Sequence, residues 1–125
     1  MPIPSFGAEG LLPPGLHGAT LEEVLERFGQ ASAQRRLISD SLRWAVAAAR
    51  KAGIKRFILD GSFIDAKRNP KDADCALLFG EGDPPEPAAV RELEDGFPYL
   101  QLILFEADEI EEFEEFLGRV YTTDR

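Results

Sequence analysis

The sequence predicts an α/β domain in which a small mixed sheet of about three strands is flanked by helices. Three observations carry this. Two segments with apolar residues at helical spacing come first, and strand-length apolar runs then alternate with further helical patterns. The link between the first two runs is too short for a helical crossover, so those strands should pair antiparallel. The chain has 125 residues, 44% hydrophobic and 30% charged, enough for one domain spanning 1–125 with a real core.

Residues 1–18 read as an extended N-terminal arm. Pro2, Pro4, Gly7, Gly10, Pro13, Pro14, Gly15 and Gly18 exclude regular helix, while Phe6, Leu11, Leu12 and Leu16 predict that the arm lies on the body. Thr20-Leu21-Glu22-Glu23 is a capping-box pattern that opens a helix over 21–28, ended by Gly29. A longer helix is expected over 31–52. Ile38, Leu42, Ala45, Val46 and Ala49 form its apolar stripe, which Leu37 and Trp44 are expected to widen. Gly53 is its natural stop.

Ile54–Asp60 is a short apolar run and the first expected strand. Residues 61–71 are polar and turn-rich. Asp72–Phe79 is the second strand, and Gly80–Pro85 a loop. A helix is expected over 86–95, broken by Phe97-Pro98, and the third strand is Tyr99–Phe105. Asp108 is positioned to cap a last helix, with Ile110, Phe113, Phe116 and Leu117 on one face.

Charge is unevenly spread. Residues 1–80 hold 11 bases and 9 acids, whereas residues 81–125 hold 3 bases and 14 acids, for a net charge of −9. Nonspecific duplex binding over the whole surface is disfavoured, and nucleic acid is not an expected partner. No run reaches the roughly 18 uncharged apolar residues that a membrane span needs. One cysteine, Cys75, forms no internal disulfide, which fits a reducing cytoplasm. With a lone histidine, His17, it also excludes a zinc site built on thiolates and imidazoles.

The residues with chemistry in them lie between the first two strands. Gly61-Ser62 follows a buried strand, and Asp72-Ala73-Asp74 opens the next. Alternation puts both acids on one strand face, where they repel unless a cation or hydrogen bonds satisfy them. Such oxygen ligands suit Mg²⁺, which keeps waters and bridges to substrate phosphates. Gly61 lets backbone approach a phosphate, and Ser62 offers a hydroxyl and an N–H. Lys67, Arg68 and Lys71 in the same connection would neutralise a triphosphate. Another reading makes Asp72 and Asp74 a surface strand end paired with Lys67, Arg68 or Lys71. Cys75 points to the opposite face and reads as core, and His17, after a Pro-Pro-Gly turn, as structural.

The stretch Leu59–Leu78, LDGSFIDAKRNPKDADCALL, resembles the signature of the polymerase-β-type nucleotidyltransferases: an apolar residue, Gly-Ser, about ten residues, then Asp-x-Asp in a strand. The short chain is most similar to the minimal nucleotidyltransferases of bacterial toxin–antitoxin pairs. Leu12-Pro13-Pro14-Gly15-Leu16-His17, with Gly-Ser-Phe and Pro-x-Asp-x-Asp, also resembles a bacterial domain family of unknown function with a nucleotidyltransferase-like fold.

The resemblance implies a nucleotidyltransferase-like fold, NTP on Gly61 and Ser62, and catalytic Mg²⁺ held by Asp72 and Asp74. The implied reaction moves NMP from the NTP to a hydroxyl acceptor. The chain departs from the pattern in two places. The family's third carboxylate sits on a neighbouring strand, but Tyr99–Phe105 holds no acid; Gln101 is its nearest polar residue, and Glu106 comes at its end. The Arg that minimal transferases carry shortly after Gly-Ser is replaced by Phe63-Ile64-Asp65-Ala66 before Lys67-Arg68. The missing acid would weaken the metal and the activation of the nucleophile. An alternative is therefore a catalytically inactive binding module, an antitoxin-like partner of a basic protein. A further one is a homo-oligomer built on the arm and the last helix.

Overall fold

The computed structural model describes residues 3–8, 10–13, 15–66 and 69–121, and of Ser62 and residues 118–121 the backbone alone. Four helices and three strands follow the expected order: α1 (Leu21–Phe28), α2 (Ala33–Ala52), β1 (Ile54–Asp60), β2 (Ala73–Phe79), α3 (Pro87–Asp95), β3 (Leu100–Phe105) and α4 (Ile110–Tyr121). The capping box forms as the sequence implies. The Glu23 amide donates to Thr20 Oγ1 at 3.1 Å, and the Thr20 amide donates to the Glu23 carboxylate at 2.8 Å. Ser32 caps α2 through the Arg35 amide, and Gly53, at φ 82°, ends it in the left-handed conformation that favours glycine.

The sheet is mixed, in the order β1-β2-β3. β1 runs antiparallel to β2, and β2 parallel to β3 through the α3 crossover. Strand alternation sorts β2 by face. Ala73, Cys75 and Leu77 join the larger core with Leu25, Phe28, Ile38, Leu42, Ala48, Ala49 and Leu93 from α1, α2 and α3. Ala76 and Leu78 face the other way, onto Phe113 and Leu117 of α4. The Phe105 and Phe113 rings meet edge to face, 5.3 Å apart. α4 covers only the far end of its face. The near end carries Asp74, Gln101 and the exposed Ile103.

The arm packs on the body through Ile3, Phe6 and Leu12. Gly10 O accepts from the Ala66 amide at 2.9 Å, and Ile3 O from Arg27 at 3.1 Å. The expectations for 1, 2, 9 and 14 lie outside the described residues.

Three expectations are corrected. Leu37 and Trp44 do not widen the core face of α2; they are 43% and 61% exposed. The buried side of α2 is taken by Ile38, Leu42, Ala45, Ala48, Ala49 and Ala52, and Leu37 and Trp44 fall outside that stripe. Asp108 is not the cap of the last helix. Glu106 caps a 3-10 turn, Ala107–Glu109, that leads into α4, and its amide donates to Glu109 Oε1 at 2.7 Å. Helix and strand starts also shift slightly: α2 begins at Ala33, β2 at Ala73 and β3 at Leu100. No helix among the described residues is long and apolar enough to cross a membrane.

Candidate functional site

β1 ends at Asp60, and the chain turns at Gly61 into a 3-10 turn, Ser62–Ile64. Gly61 has φ 83°, a region costly for residues with a Cβ. A Cβ there would also overlap Asp74 Oδ2 and lie 3.2 Å from its Cγ. The bend and the second acid of Asp-x-Asp are thus in direct contact. Of the two pairs, Gly61-Ser62 and Asp72–Asp74, it is Gly61 and Asp74 that meet here. The backbone of Ser62 opens the turn; its side chain, and Lys67 and Arg68 entirely, lie outside the described residues.

Register completes the constellation. Asp60 is the antiparallel partner of Asp74, and Gln101 its parallel partner on β3. Gln101 Nε2 donates to Asp72 Oδ2 at 2.9 Å. Asp60, Asp74 and Gln101 therefore lie side by side across the three strands, on the face that α4 leaves open, with Asp72 reached by the Gln101 amide. Partial burial raises the Asp74 pKa, helped by the negative charges of Asp72 and Asp60. Glu106 is held in its reciprocal capping box and does not join the acids. The acid that joins them electrostatically is Asp60, which sequence reading missed. Its role follows from strand register, and a twelve-residue connection does not fix register as a two-residue hairpin would.

A second missed residue is Arg35. It is 4% exposed and points from α2 into the turn. Its guanidinium donates to Phe28 O at 2.9 Å, Phe63 O at 2.6 Å and Asp65 O at 2.9 Å, and lies 5.6 Å from the Phe63 ring centre. Desolvation lowers its pKa, an effect that the Asp65 charge opposes. A signal was present: Arg35 is in phase with Ile38, Leu42, Ala45 and Ala49, so it sits on the apolar stripe. The neighbouring connection is tied to α2 as well, since Gln34 Nε2 donates to Lys71 O at 2.9 Å. The Lys71 side chain is exposed.

A cavity of about 740 Å³ runs along β1 beneath the arm, with Leu12, His17, Val46, Phe57, Asp60 and Gly61 among its lining. It touches the constellation only through Asp60 and Gly61; Asp72 and Asp74 do not line it. His17 Nε2–H donates to Pro13 O at 2.8 Å, a contact within the arm. Cys75 is buried on the face opposite the acids, and burial pushes its thiol pKa far up, so it is no nucleophile.

Among the described residues, no three His, Cys, Asp or Glu side chains are gathered as a metal cage. Mg²⁺ rarely uses one; it takes one or two carboxylates and completes its shell with waters and phosphates. Asp72 and Asp74 supply such oxygens, and the repulsion among Asp60, Asp72 and Asp74 is what a divalent cation would relieve. The residues fit the ion.

The raised Asp74 pKa has a consequence for stability. A carboxyl that binds its proton more tightly when folded makes the unfolded chain ionise first as pH rises. Its contribution is therefore full below the ordinary aspartate value of about 4 and lost as pH climbs through the raised folded value. Asp74→Asn is expected to raise Tm at neutral pH and to flatten this acid-side decline. Thermal melts across the acid range check it; an Asn variant that is less stable at neutral pH would refute the assignment.

No curated protein and no solved structure matches the chain. Residues 4–123 match a family of unknown function, DUF6932. That match takes in the arm, the Gly61 bend, the acids and all three strands, and the chain is a member of that family.

Proposed function

We propose that this chain is a Mg²⁺-dependent nucleotidyltransferase-like domain that binds an NTP and moves NMP to a hydroxyl acceptor. The observation that carries the reading is the Asp74 carboxylate packed on the Gly61 bend. Residues thirteen apart meet there in an arrangement that crowds negative charge beside a backbone able to approach phosphate closely. Asp72 and Asp74 hold the metal. When bound, Mg²⁺ neutralises charge on the transferring phosphoryl group. Gly61 and Ser62 receive the β/γ-phosphates, and Lys67, Arg68 and Lys71 balance their charge. Arg35 keeps the turn in one shape by fixing the carbonyls of Phe63 and Asp65. In the transfer the acceptor hydroxyl gives up its proton to solvent, its oxygen bonds to the α-phosphorus, the bond from that phosphorus to the bridging oxygen breaks, and pyrophosphate leaves. The free, buried thiol of Cys75 suits a reducing cytoplasm.

Calorimetric titration with NTPs tests the reading, with Mg²⁺ and with EDTA. Binding is expected with Mg²⁺ only, and is expected to vanish in the double variant Asp72→Ala, Asp74→Ala. No binding by the wild type, or binding unchanged in the double variant, would sink it.

One observation favours a second reading, a catalytically inactive module that binds a partner protein. Gln101 stands beside Asp74 on β3 and donates to Asp72, so an amide occupies the register position where a third acid would complete the set. The module would retain a stable basic partner on co-purification and release no pyrophosphate from any NTP. Pyrophosphate release that is lost in Asp74→Asn decides for the enzyme.

A further inference from the structure

The acidity of the chain is not shared by α2. Its outer face carries Arg36, Arg43 and Arg50 at seven-residue intervals, all exposed, with Asp40 as the one acid of the helix. Beside that row, Leu37 and Trp44 are 43% and 61% exposed, an apolar pair on the same seven-residue repeat. α4 is the opposite case. Its outer face carries Glu111, Glu112, Glu114 and Glu115, all exposed, with Ile110 42% exposed at its start. The apolar stripe of α4 is used internally, since Phe113 and Leu117 are buried against β2 and Phe116 packs beside them. Over its described side chains, 110–117, what α4 offers to the outside is mainly negative charge.

The two faces cannot neutralise each other within one molecule. α2 packs on the face of β2 formed by Cys75 and Leu77, and α4 on the face formed by Ala76 and Leu78, so the sheet stands between them. With layers about 10 Å apart, the helix axes are roughly 20 Å from each other and their outer faces look in opposite directions. That separation exceeds the screening length of about 8 Å at physiological salt. A second copy, in contrast, can bring its α4 against this α2.

We propose that the outer faces of α2 and α4 are the two halves of a head-to-tail contact between copies of this chain. The arginine row pairs with the glutamates, and the Trp44 ring and Leu37 lie under the stems of those long side chains and Ile110. A two-fold dimer through either face alone would set like charges against each other. The contact is therefore heterologous, and it propagates or closes into a ring instead of stopping at two. It makes no use of the carboxylate constellation, so it stands or falls apart from the nucleotide reading.

Trp44 is the only tryptophan of the chain, so its emission reports on this surface alone. Sedimentation and Trp44 fluorescence are to be read together, at about 10 mM and about 1 M salt, where the screening length is about 30 Å and about 3 Å. Association beyond a dimer with a blue-shifted emission is expected at low salt, and monomers with a red emission at high salt. Two charge-reversed variants then test the pairing: Arg36→Glu with Arg43→Glu, and Glu111→Lys with Glu114→Lys. These side chains are exposed, and thermal melts establish that both variants fold, with small losses expected from the Arg36–Gln30 hydrogen bond and the first-turn acid Glu111. Each alone is expected to be monomeric at low salt, and an equimolar mixture to associate with the blue shift restored. A wild type that stays monomeric at low salt overturns the proposal. So does a variant that still self-associates alone, or a mixture of two folded variants that stays monomeric.

Discussion

Replacing Arg35 with methionine is expected to lower stability by about 3–5 kcal/mol and Tm by roughly 10–20 °C. Methionine keeps much of the volume and removes every donor. Three carbonyls, of Phe28, Phe63 and Asp65, then lose the guanidinium that joins them. Each buried acceptor left without a partner costs about 1–3 kcal/mol. Because those carbonyls belong to α1 and to the turn after Gly61, the loss falls on the junction that holds the turn. Arg35→Lys is expected to recover only part of the loss. A single ammonium lacks the planar fork that reaches carbonyls on two separate segments. Urea denaturation of wild type, Met and Lys variants checks this, with the slope unchanged and the midpoint moved. A Met variant within about 1 kcal/mol of wild type would place Arg35 among ordinary surface contacts.

Gly61→Ala is expected to cost about 2–3 kcal/mol and to weaken the proposed Mg²⁺-dependent nucleotide binding at least about tenfold. Two effects add. The left-handed backbone costs an alanine roughly 1–2 kcal/mol. The new methyl also overlaps the Asp74 carboxylate, which must swing away. Gly82→Ala separates the two. Gly82 has a similar φ of 86°, and a Cβ there meets nothing within 4 Å. It carries the backbone cost without the collision, so its stability loss should be about half as large and its nucleotide affinity should match wild type. Equal losses in both variants would mean that the contact between the bend and Asp74 has no energetic weight.

Most of the fold could be read from local signals. The Thr20–Glu23 box fixes where α1 starts, and the apolar run Ile54–Asp60 marks β1 at both ends because a glycine flanks it on each side. The site was readable in part. Gly61, Asp72 and Asp74 announce themselves through spacing, and Gln101 as the one polar residue within β3. Asp60 and Arg35 were not found, for different reasons. Asp60 matters only through its partner across the sheet, and pairing register is a long-range property. Arg35 belongs to no motif, composition says arginine is rarely buried, and only its phase along α2 says otherwise. Leu37 and Trp44 erred in the other direction. Hydrophobicity alone placed them inside, but their phase along α2 sets them off the stripe of Ile38, Leu42, Ala45 and Ala49.

The acids are confined to the start of β2, where they flank the buried Ala73, and the rest of the strand is core. Asp72 and Asp74 stand at its entrance, whereas Cys75, Ala76, Leu77 and Leu78 are buried against the helices. Substitutions at that doorway would remove the proposed chemistry and leave the interior untouched. Working and silent descendants of one ancestor would then share a shape, and the residues beside the Gly61 bend would be the place to tell them apart.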